Sequence, residues 1–524
     1  MMELPLVGLL AGSFAVSALA RRLGVSPPLL LVLIGLAVSA VPGVPDYALD
    51  PELILTLVLP PLLYSAALDS SYLRLRANLR PIGMLAVGAV LLTTVAVGLA
   101  AWWLVPGLPL ASALVLGAVV APPDAVAAAA VGRQLGLPRK VMTILGGESL
   151  VNDATALTAY RVAVAVAAGA GYGIAEGLGV FVLAAVGGAA IGWALGWLVH
   201  RLRLLLHDGV LESALGLLVP FVGFVVAEEV HASGVLAVVL AGLYLGHRSP
   251  AAHPVARIQD RAVWQAADTV LEATVFALIG LQLTAVVSGV GPAVGTLTAV
   301  GLLLVLVALA ARVAFVFPTT YLRPLARRRP GWTSPSWRHA AVVSWAGMRG
   351  VVSLAAAAGI PLTTMSGAPF PGRDEVVFLT FVVTVGTLLL HGLTLPTLIR
   401  RLGVQGSEEA ADALAEAQAQ NDAGRAAVAR LDDLDDGDPL HAATVAELRS
   451  RVQARTNAAW ERLGGPIAGG GDTPSAVYRR LRRAMLDAER EVFVRYRDQR
   501  RIDDEVFRRV QHEMDLEEVT LLRE

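Results

Sequence analysis

Long apolar runs broken by short polar clusters fill the chain as far as about residue 401, and polar residues dominate after that. This pattern predicts about thirteen membrane-spanning helices, over residues 3–20, 27–43, 51–68, 81–103, 109–132, 140–169, 174–200, 210–230, 233–247, 264–286, 289–321, 338–361 and 374–399. A helix needs about 20 apolar residues to cross a bilayer. The polar clusters alternate in charge. Arg21-Arg22, Arg74/Arg76/Arg80, Arg133/Arg139/Lys140, Arg201/Arg203, Arg248/Arg257/Arg261 and Arg323 through Arg338 fall in every second loop. The loops around Pro45-Asp46, Pro106-Gly107, Gly171-Tyr172, Glu228-Glu229, Gly289 and Phe370 hold one basic residue, Arg373. Basic residues gather on the cytoplasmic side, so the N-terminus is expected outside and the C-terminus inside. The first run carries Glu3 at its start and Arg21-Arg22 after it, which suits a retained helix better than a cleaved leader.

Composition agrees with the pattern. Of 524 residues, 55% are hydrophobic and 16% charged, against roughly 25% charged in soluble domains. We expect a membrane domain over residues 1–403 and a cytoplasmic helical regulatory tail over 404–524. The absence of cysteine excludes disulfides, thiolate chemistry and cysteine metal sites. No Ser-His pair, paired-aspartate motif or H-E-x-x-H spacing points to an enzyme or a resident metal. No cofactor and no nucleic-acid partner are expected. In the tail, helical patterns over about 440–463 and 475–521 follow an acidic turn at Asp432-Asp433-Leu434-Asp435-Asp436-Gly437-Asp438-Pro439. That turn lacks the calcium-loop spacing and reads as a solvated linker. Gly188, Gly192 and Gly196 form a small-residue ridge suited to close helix packing or dimerisation.

Four sites break the apolar pattern. The first is Gly147-Glu148-Ser149-Leu150-Val151-Asn152-Asp153, inside the run 140–169. Ionisable residues inside a span are costly, and mark functional sites facing a packed or wet interior. Glu148 and Asn152 are four apart and share a helix face, with Asp153 rotated about 100° from Asn152. An anchoring acid–amide pair would thus stand beside a carboxylate left to bind something. The second is Ala121-Pro122-Pro123-Asp124. Two prolines remove backbone hydrogen bonds and predict a helix unwound at mid-membrane, as at the cation sites of secondary transporters. The third is Gly347-Met348-Arg349-Gly350, whose buried cation needs an anionic partner; Glu148 is the expected one. The fourth is Leu59-Pro60-Pro61-Leu62-Leu63-Tyr64-Ser65, a second proline break followed by a hydroxyl. Arg161 reads as an interfacial or structural charge; Glu272 and Gln282 either line a cavity or bond between helices, the second being the preferred reading; and His391 reads as a packed polar residue rather than a proton relay.

Glu148-Ser149-Leu150-x-Asn152-Asp153 resembles the signature of the first cation:proton antiporter family, which holds the NhaP-type bacterial exchangers and the animal sodium/proton exchangers. Pro122-Pro123-Asp124-Ala125-Val126, Leu59 to Leu63, Ser233 to Ala237 and Gly347 to Gly350 resemble its other landmarks in order. The resemblance implies an all-α polytopic fold of thirteen helices. It also implies two inverted six-helix repeats (spans 1–6 and 8–13), unwound crossing helices at spans 5 and 12, and a homodimer. By position it makes Asp153, Asp124 and Ser149 the ion- and proton-binding residues, and Glu148, Asn152 and Arg349 a structural ion-pair cluster. The Asn-Asp pair marks the electroneutral branch. The chain departs from the pattern at Ser65, where many relatives have an acid, and at Pro123, where many have Thr. Both lie on the expected ion path and bear on selectivity.

The expected activity is exchange of Na⁺, or another monovalent cation, for H⁺ across a bacterial plasma membrane, serving pH and sodium homeostasis. A mid-membrane carboxylate can hold a proton or a small hard cation but not both, and this competition couples the two fluxes. K⁺/H⁺ exchange and a tail-gated cation channel on the same fold are the alternatives.

Overall fold

The computed structural model describes residues 3–523 apart from 43–50, 125–127, 129–130, 134, 171–173, 207, 327–335, 405, 407, 436–437, 439–440 and 462–472. Pro45-Asp46, Ala125-Val126, Gly171-Tyr172, Arg327 to Arg329, Asp436-Gly437 and Pro439 thus lie outside the described residues. The chain divides into two units, Met1–Gln405 and Gly406–Glu524.

In the first unit the apolar runs become helices. They begin with α1 (Glu3–Leu23), α2 (Pro27–Ser39), α3 (Pro51–Leu68), α4 (Tyr72–Ala77), α5 (Leu79–Leu104), α6 (Leu110–Val120), α7 (Arg139–Ala167) and α8 (Ile174–Leu206). There follow α9 (Gly209–Glu229), α10 (Gly234–Arg248), α11 (Pro254–Leu281), α12 (Leu283–Val290), α13 (Val294–Ala326), α14 (Trp337–Trp345), α15 (Val351–Ala358) and α16 (Arg373–Leu402). Their starts have local causes. Asp208 accepts from the amides of Val210 and Leu211 at the head of α9, and Ser233 from Leu236 at the head of α10; both satisfy N–H groups that have no partner within the helix. Pro27, Pro51 and Pro254 open helices where a missing N–H costs nothing.

Two departures from the pattern stand out. Helix α11 begins at Pro254 rather than 264, and the short α4 lies where a loop was expected. Hydropathy registers only the apolar part of a helix, whereas backbone bonding continues through polar turns that reach water. Among the described residues six helical stretches are long and apolar enough to cross a membrane, while α2 and α6 are apolar but shorter. Phe14, Trp103, Leu183 and Leu205 are exposed, Trp103 to 82%. Such side chains on the outside fit a protein whose outer solvent is lipid.

Two packed groups organise this unit. Val97, Leu116, Leu304 and Leu379 join α5, α6, α13 and α16, while Leu63, Val219 and Val238 join α3, α9 and α10. Leu157 packs against both, so α7 runs between them. The glycine ridge of α8 is used inside the chain. A Cβ at Gly192 would stand 2.8 Å from the Cα of Ala237, and one at Gly196 3.0 Å from the Cβ of Tyr244. The two helices therefore approach to a distance that a larger residue forbids.

The second unit holds α17 (Glu408–Leu434), α18 (Ala442–Glu461), α19 (Pro474–Asp498) and α20 (Asp504–Arg523). The run predicted over 475–521 is two helices, turning where Arg500 adopts φ 55° and Asp503 accepts from the Glu505 amide. Leu486, Met514 and Leu521 bury between them, flanked by a two-bond Arg482–Glu517 pair at 2.6 and 2.8 Å. At the acidic turn, Arg449 of α18 pairs with Asp432 at 2.6 Å and with Asp435 at 3.8 Å.

Candidate functional site

Helix α7 carries two polar stripes. Glu148 and Asn152 lie on one; Ser149 and Asp153, also four apart, lie on the next. The first stripe is closed by direct bonds. Both Glu148 oxygens accept from the Arg312 guanidinium of α13, at 2.6 and 2.8 Å, with the two side chains 1% and 3% exposed. Arg312 also donates to the Val343 carbonyl at 3.1 and 3.2 Å. The Asn152 amide donates to the Pro123 carbonyl at 2.6 Å, so it holds the broken segment after α6.

That break has the expected cause. Helix α6 stops at Val120, and Ala121 to Asp124 are non-helical through the prolines. A second break, Ala346 to Gly350, separates α14 from α15. The two unwound stretches bind each other. The Asp124 amide donates to the Met348 carbonyl at 2.7 Å, and Arg349 Nε to the Val120 carbonyl at 2.8 Å. Arg349 also donates to the Gly347 carbonyl, and its own amide to Thr387 Oγ1 at 3.2 Å. A Cβ at Gly350 would stand 2.6 Å from Asp124 Cγ, so α15 starts directly against that carboxylate. The N-terminus of a half-helix favours a negative charge there.

Here one expectation is corrected. Arg349 is not the direct partner of Glu148; Arg312 takes that place, and Arg349 is held by carbonyls freed at the two breaks. The geometric reason is the fork. A guanidinium at the right height on α13 meets both carboxylate oxygens at once, while Arg349 points back across the crossing. Arg312 was legible as a lone cation within the apolar run 289–321, and the pattern reading passed over it.

The second stripe opens into a cavity of about 350 Å³. Ser149, Asp153 and Asp124 line it, joined by Ser65, Asp268 and Glu272. Asp153 is 8% exposed. Glu272 lines this cavity, the less favoured of its two readings, because α11 turns that stripe inward beside α3. Asp268, one turn earlier, was not singled out in the sequence. It accepts a hydrogen bond from Ser65, so a carboxylate from another helix stands at the hydroxyl that replaces the acid of many relatives. Among the described residues no group of three or more His, Cys, Asp or Glu is arranged to hold a metal ion; the acids are spread along the cavity. Pro123 lends its carbonyl rather than a side chain.

The weaker candidates resolve simply. Arg161 pairs with Glu228 of α9 at 2.5 Å near the surface. His391 is 1% exposed with its ring edge-on to Trp345, 5.5 Å between centroids. Gln282 is buried where α11 meets α12.

With this geometry in hand, the comparisons are specific. The profile described as "Sodium/hydrogen exchanger, transmembrane" matches residues 9–401. An uncharacterized Na⁺/H⁺ exchanger of Mycobacterium tuberculosis is 36% identical over 531 residues, covering 99% of this chain and 96% of that one. A sodium, potassium, lithium and rubidium/H⁺ antiporter of Bacillus pumilus is 31% identical over 383 residues, covering 71% of this chain and 57% of that one. The sodium proton antiporter MjNhaP1 of Methanocaldococcus jannaschii shares the fold, with a TM-score of 0.61 at 19% identity over 76% of this chain and 99% of that one. Matched along its helical unit and at nearly full length, the chain belongs to the sodium/hydrogen exchanger family of multi-pass membrane cation:proton antiporters.

Proposed function

We propose that the protein exchanges Na⁺ for H⁺ one for one, by competition of the two ions for Asp153, with Asp124 and Ser149 completing the site. The observation that carries this reading is the mutual docking of two unwound segments beside a buried carboxylate that opens to a cavity. Charge bookkeeping supports electroneutrality. Arg312 and Glu148 cancel, Arg349 offsets Asp124, and Asp153 is neutral with either ligand aboard. The moving part then carries the same charge in both directions, and alternating access completes the cycle. Carbonyls and carboxylates suit a hard monovalent cation, and a carboxylate taken from water requires a counter-charge or a proton.

In this reading the first unit crosses a bacterial plasma membrane thirteen times, N-terminus outside, with two inverted repeats. The protein works as a homodimer in pH and sodium homeostasis, and the tail is a cytoplasmic regulatory domain. A second reading, K⁺/H⁺ exchange, draws on the B. pumilus relative, whose name covers four cations. Na⁺- and K⁺-driven dequenching of a pH dye in everted vesicles tests both. Signal with Na⁺ across pH 6 to 9 supports the first, signal with K⁺ alone selects the second, and silence with every cation rejects antiport. Cation current without proton movement would select a channel.

A further inference from the structure

Arg161 and Glu228 join α7 to α9 at a place the ion cavity does not reach. The cavity has exposed Asp69 and Arg133 at its rim and follows α7 only as far as Asp153; among the described residues nothing later on that helix lines it. Arg161 comes eight residues after Asp153, about 12 Å further along the axis. Around it, Tyr160, Ala163, Val164 and Ala167 pack against the group formed by α5, α6, α13 and α16. Arg161 reaches the other way, to Glu228 near the end of α9, which belongs with α3 and α10 to the second group. Glu228 is itself held, because its other oxygen, Oε1, accepts from the Gly234 amide at the head of α10 at 3.2 Å. A fixed carboxylate and a long cationic side chain thus bridge the two packed groups on the side away from the cavity rim.

A stitch between neighbouring helices would explain the bond but not its place. The two side chains are 46% and 30% exposed, and an exposed ion pair shifts an equilibrium by no more than about fivefold. That is too little to hold a fold together, but enough to favour one conformation over another. Water stands ready to take over both charges when the pair parts. For an ion to reach Asp153 from the far side, the two packed groups must separate where this pair joins them. We propose that the Arg161–Glu228 pair is a latch: it holds the far side shut while the cavity is open, and parts in each cycle as Asp153 changes sides. The proposal rests on the alternating-access exchange proposed above. No covalent bond changes; guanidinium and carboxylate exchange each other for water.

The test uses the full-length protein in sealed vesicles of uniform orientation. The chain has no cysteine, so Leu157→Cys gives a membrane-impermeant maleimide a single thiol, on the stripe of Ser149 and Asp153 and one turn beyond them. Labelling from the far side should be slow in this background. Arg161→Gln and Glu228→Gln should each speed it, by up to about fivefold, and the two together by no more than either alone. Arg161→Lys, which keeps the charge, should keep labelling slow. Without the added cysteine, Arg161→Gln should lower the apparent KM for Na⁺ offered on the far side by a similar factor, because more of the protein is then open to it. The KM on the cavity side should stay nearly unchanged. A mere stitch would lower thermal stability and leave both labelling and the ratio of the two KM values as they were; that result overturns the latch. If the thiol is not reached in any background, the KM ratio decides, and an unchanged ratio overturns the proposal. Should wild type be silent with Na⁺, Li⁺ and K⁺, the exchange reading falls by itself, and the labelling rates still decide the latch.

Discussion

Glu148 and Asp153 are both carboxylates, five residues apart on one helix and both buried, yet their surroundings are opposite. Glu148 is closed off by two bonds from Arg312, which in turn is tied to the Val343 carbonyl. Asp153 lies one stripe around the helix, faces a cavity, and has no such partner. Burial costs both of them hydration. For Glu148 a fixed guanidinium offsets that cost permanently, and the pair becomes part of the scaffold. For Asp153 the described residues supply no such fixed guanidinium, and under the proposed exchange the offset comes from the ion or proton in the cavity. The proposed exchange needs both conditions: a rigid frame to hold the broken helices, and one acid whose counter-charge can leave.

The comparison can be broken from either side. Asp153→Asn should abolish exchange in everted vesicles while leaving expression and thermal stability near wild type; residual exchange would mean that another acid is the exchanging group. Glu148→Gln should have the reverse character. It strands Arg312 in a dry site and should cost about 3–5 kcal/mol, read as a large drop in thermal stability. Replacing the pair together, Glu148→Leu with Arg312→Met, should recover much of that loss, as a double-mutant cycle would reveal. Failure to recover would mean that the pair does more than cancel charge.

Smaller effects sharpen the contrast between scaffold and site. Gly192→Leu should force α8 from the Ala237 backbone and cost about 1–3 kcal/mol, with the cation KM unchanged in the exchange assay. The smallest effect is expected in the tail. The Arg482 guanidinium, hydrogen-bonded to Glu517, holds that carboxyl below the usual value for Glu. A carboxylate with a depressed folded value stabilises the α19–α20 hairpin at pH above the ordinary Glu range. That contribution is lost as pH falls through the folded value. The pair is partly exposed to solvent, so acidifying below about pH 4 should loosen the hairpin only slightly. The difference in helical signal between the full chain and one ending near Gly406 would measure it.

Much of this was legible residue by residue. Pro122-Pro123 predicted the first break because proline lacks the N–H that a helix needs, and the break stands there. Glu148, Asn152 and Asp153 announced themselves as polar groups in an apolar run, and their helical spacing put Asp153 on a different stripe from the bonded Glu148 and Asn152. Arg349 was seen, but its partner was chosen from the acids already noticed. The carbonyls that hold it appear only once the two breaks are laid across each other. Asp268 escaped for a related reason: it sits four residues into the run expected from 264, where an acid looks like an ordinary helix end, whereas α11 begins at Pro254 and carries it mid-helix.

What the sequence by itself determined was every property that depends on neighbours along the chain. These are the apolar runs, the proline break, the charge alternation of the loops, the stripes of α7, and the change to a polar helical tail at about residue 404. What only the tertiary structure decided was which groups meet across long separations: Glu148 with Arg312, Asp124 with Met348, Ser65 with Asp268, and Gly192 with Ala237. Local spacing sets which face of a helix a residue occupies. Direction and distance across the interior are set by how helices pack, and a buried charge takes whichever partner that packing brings within reach.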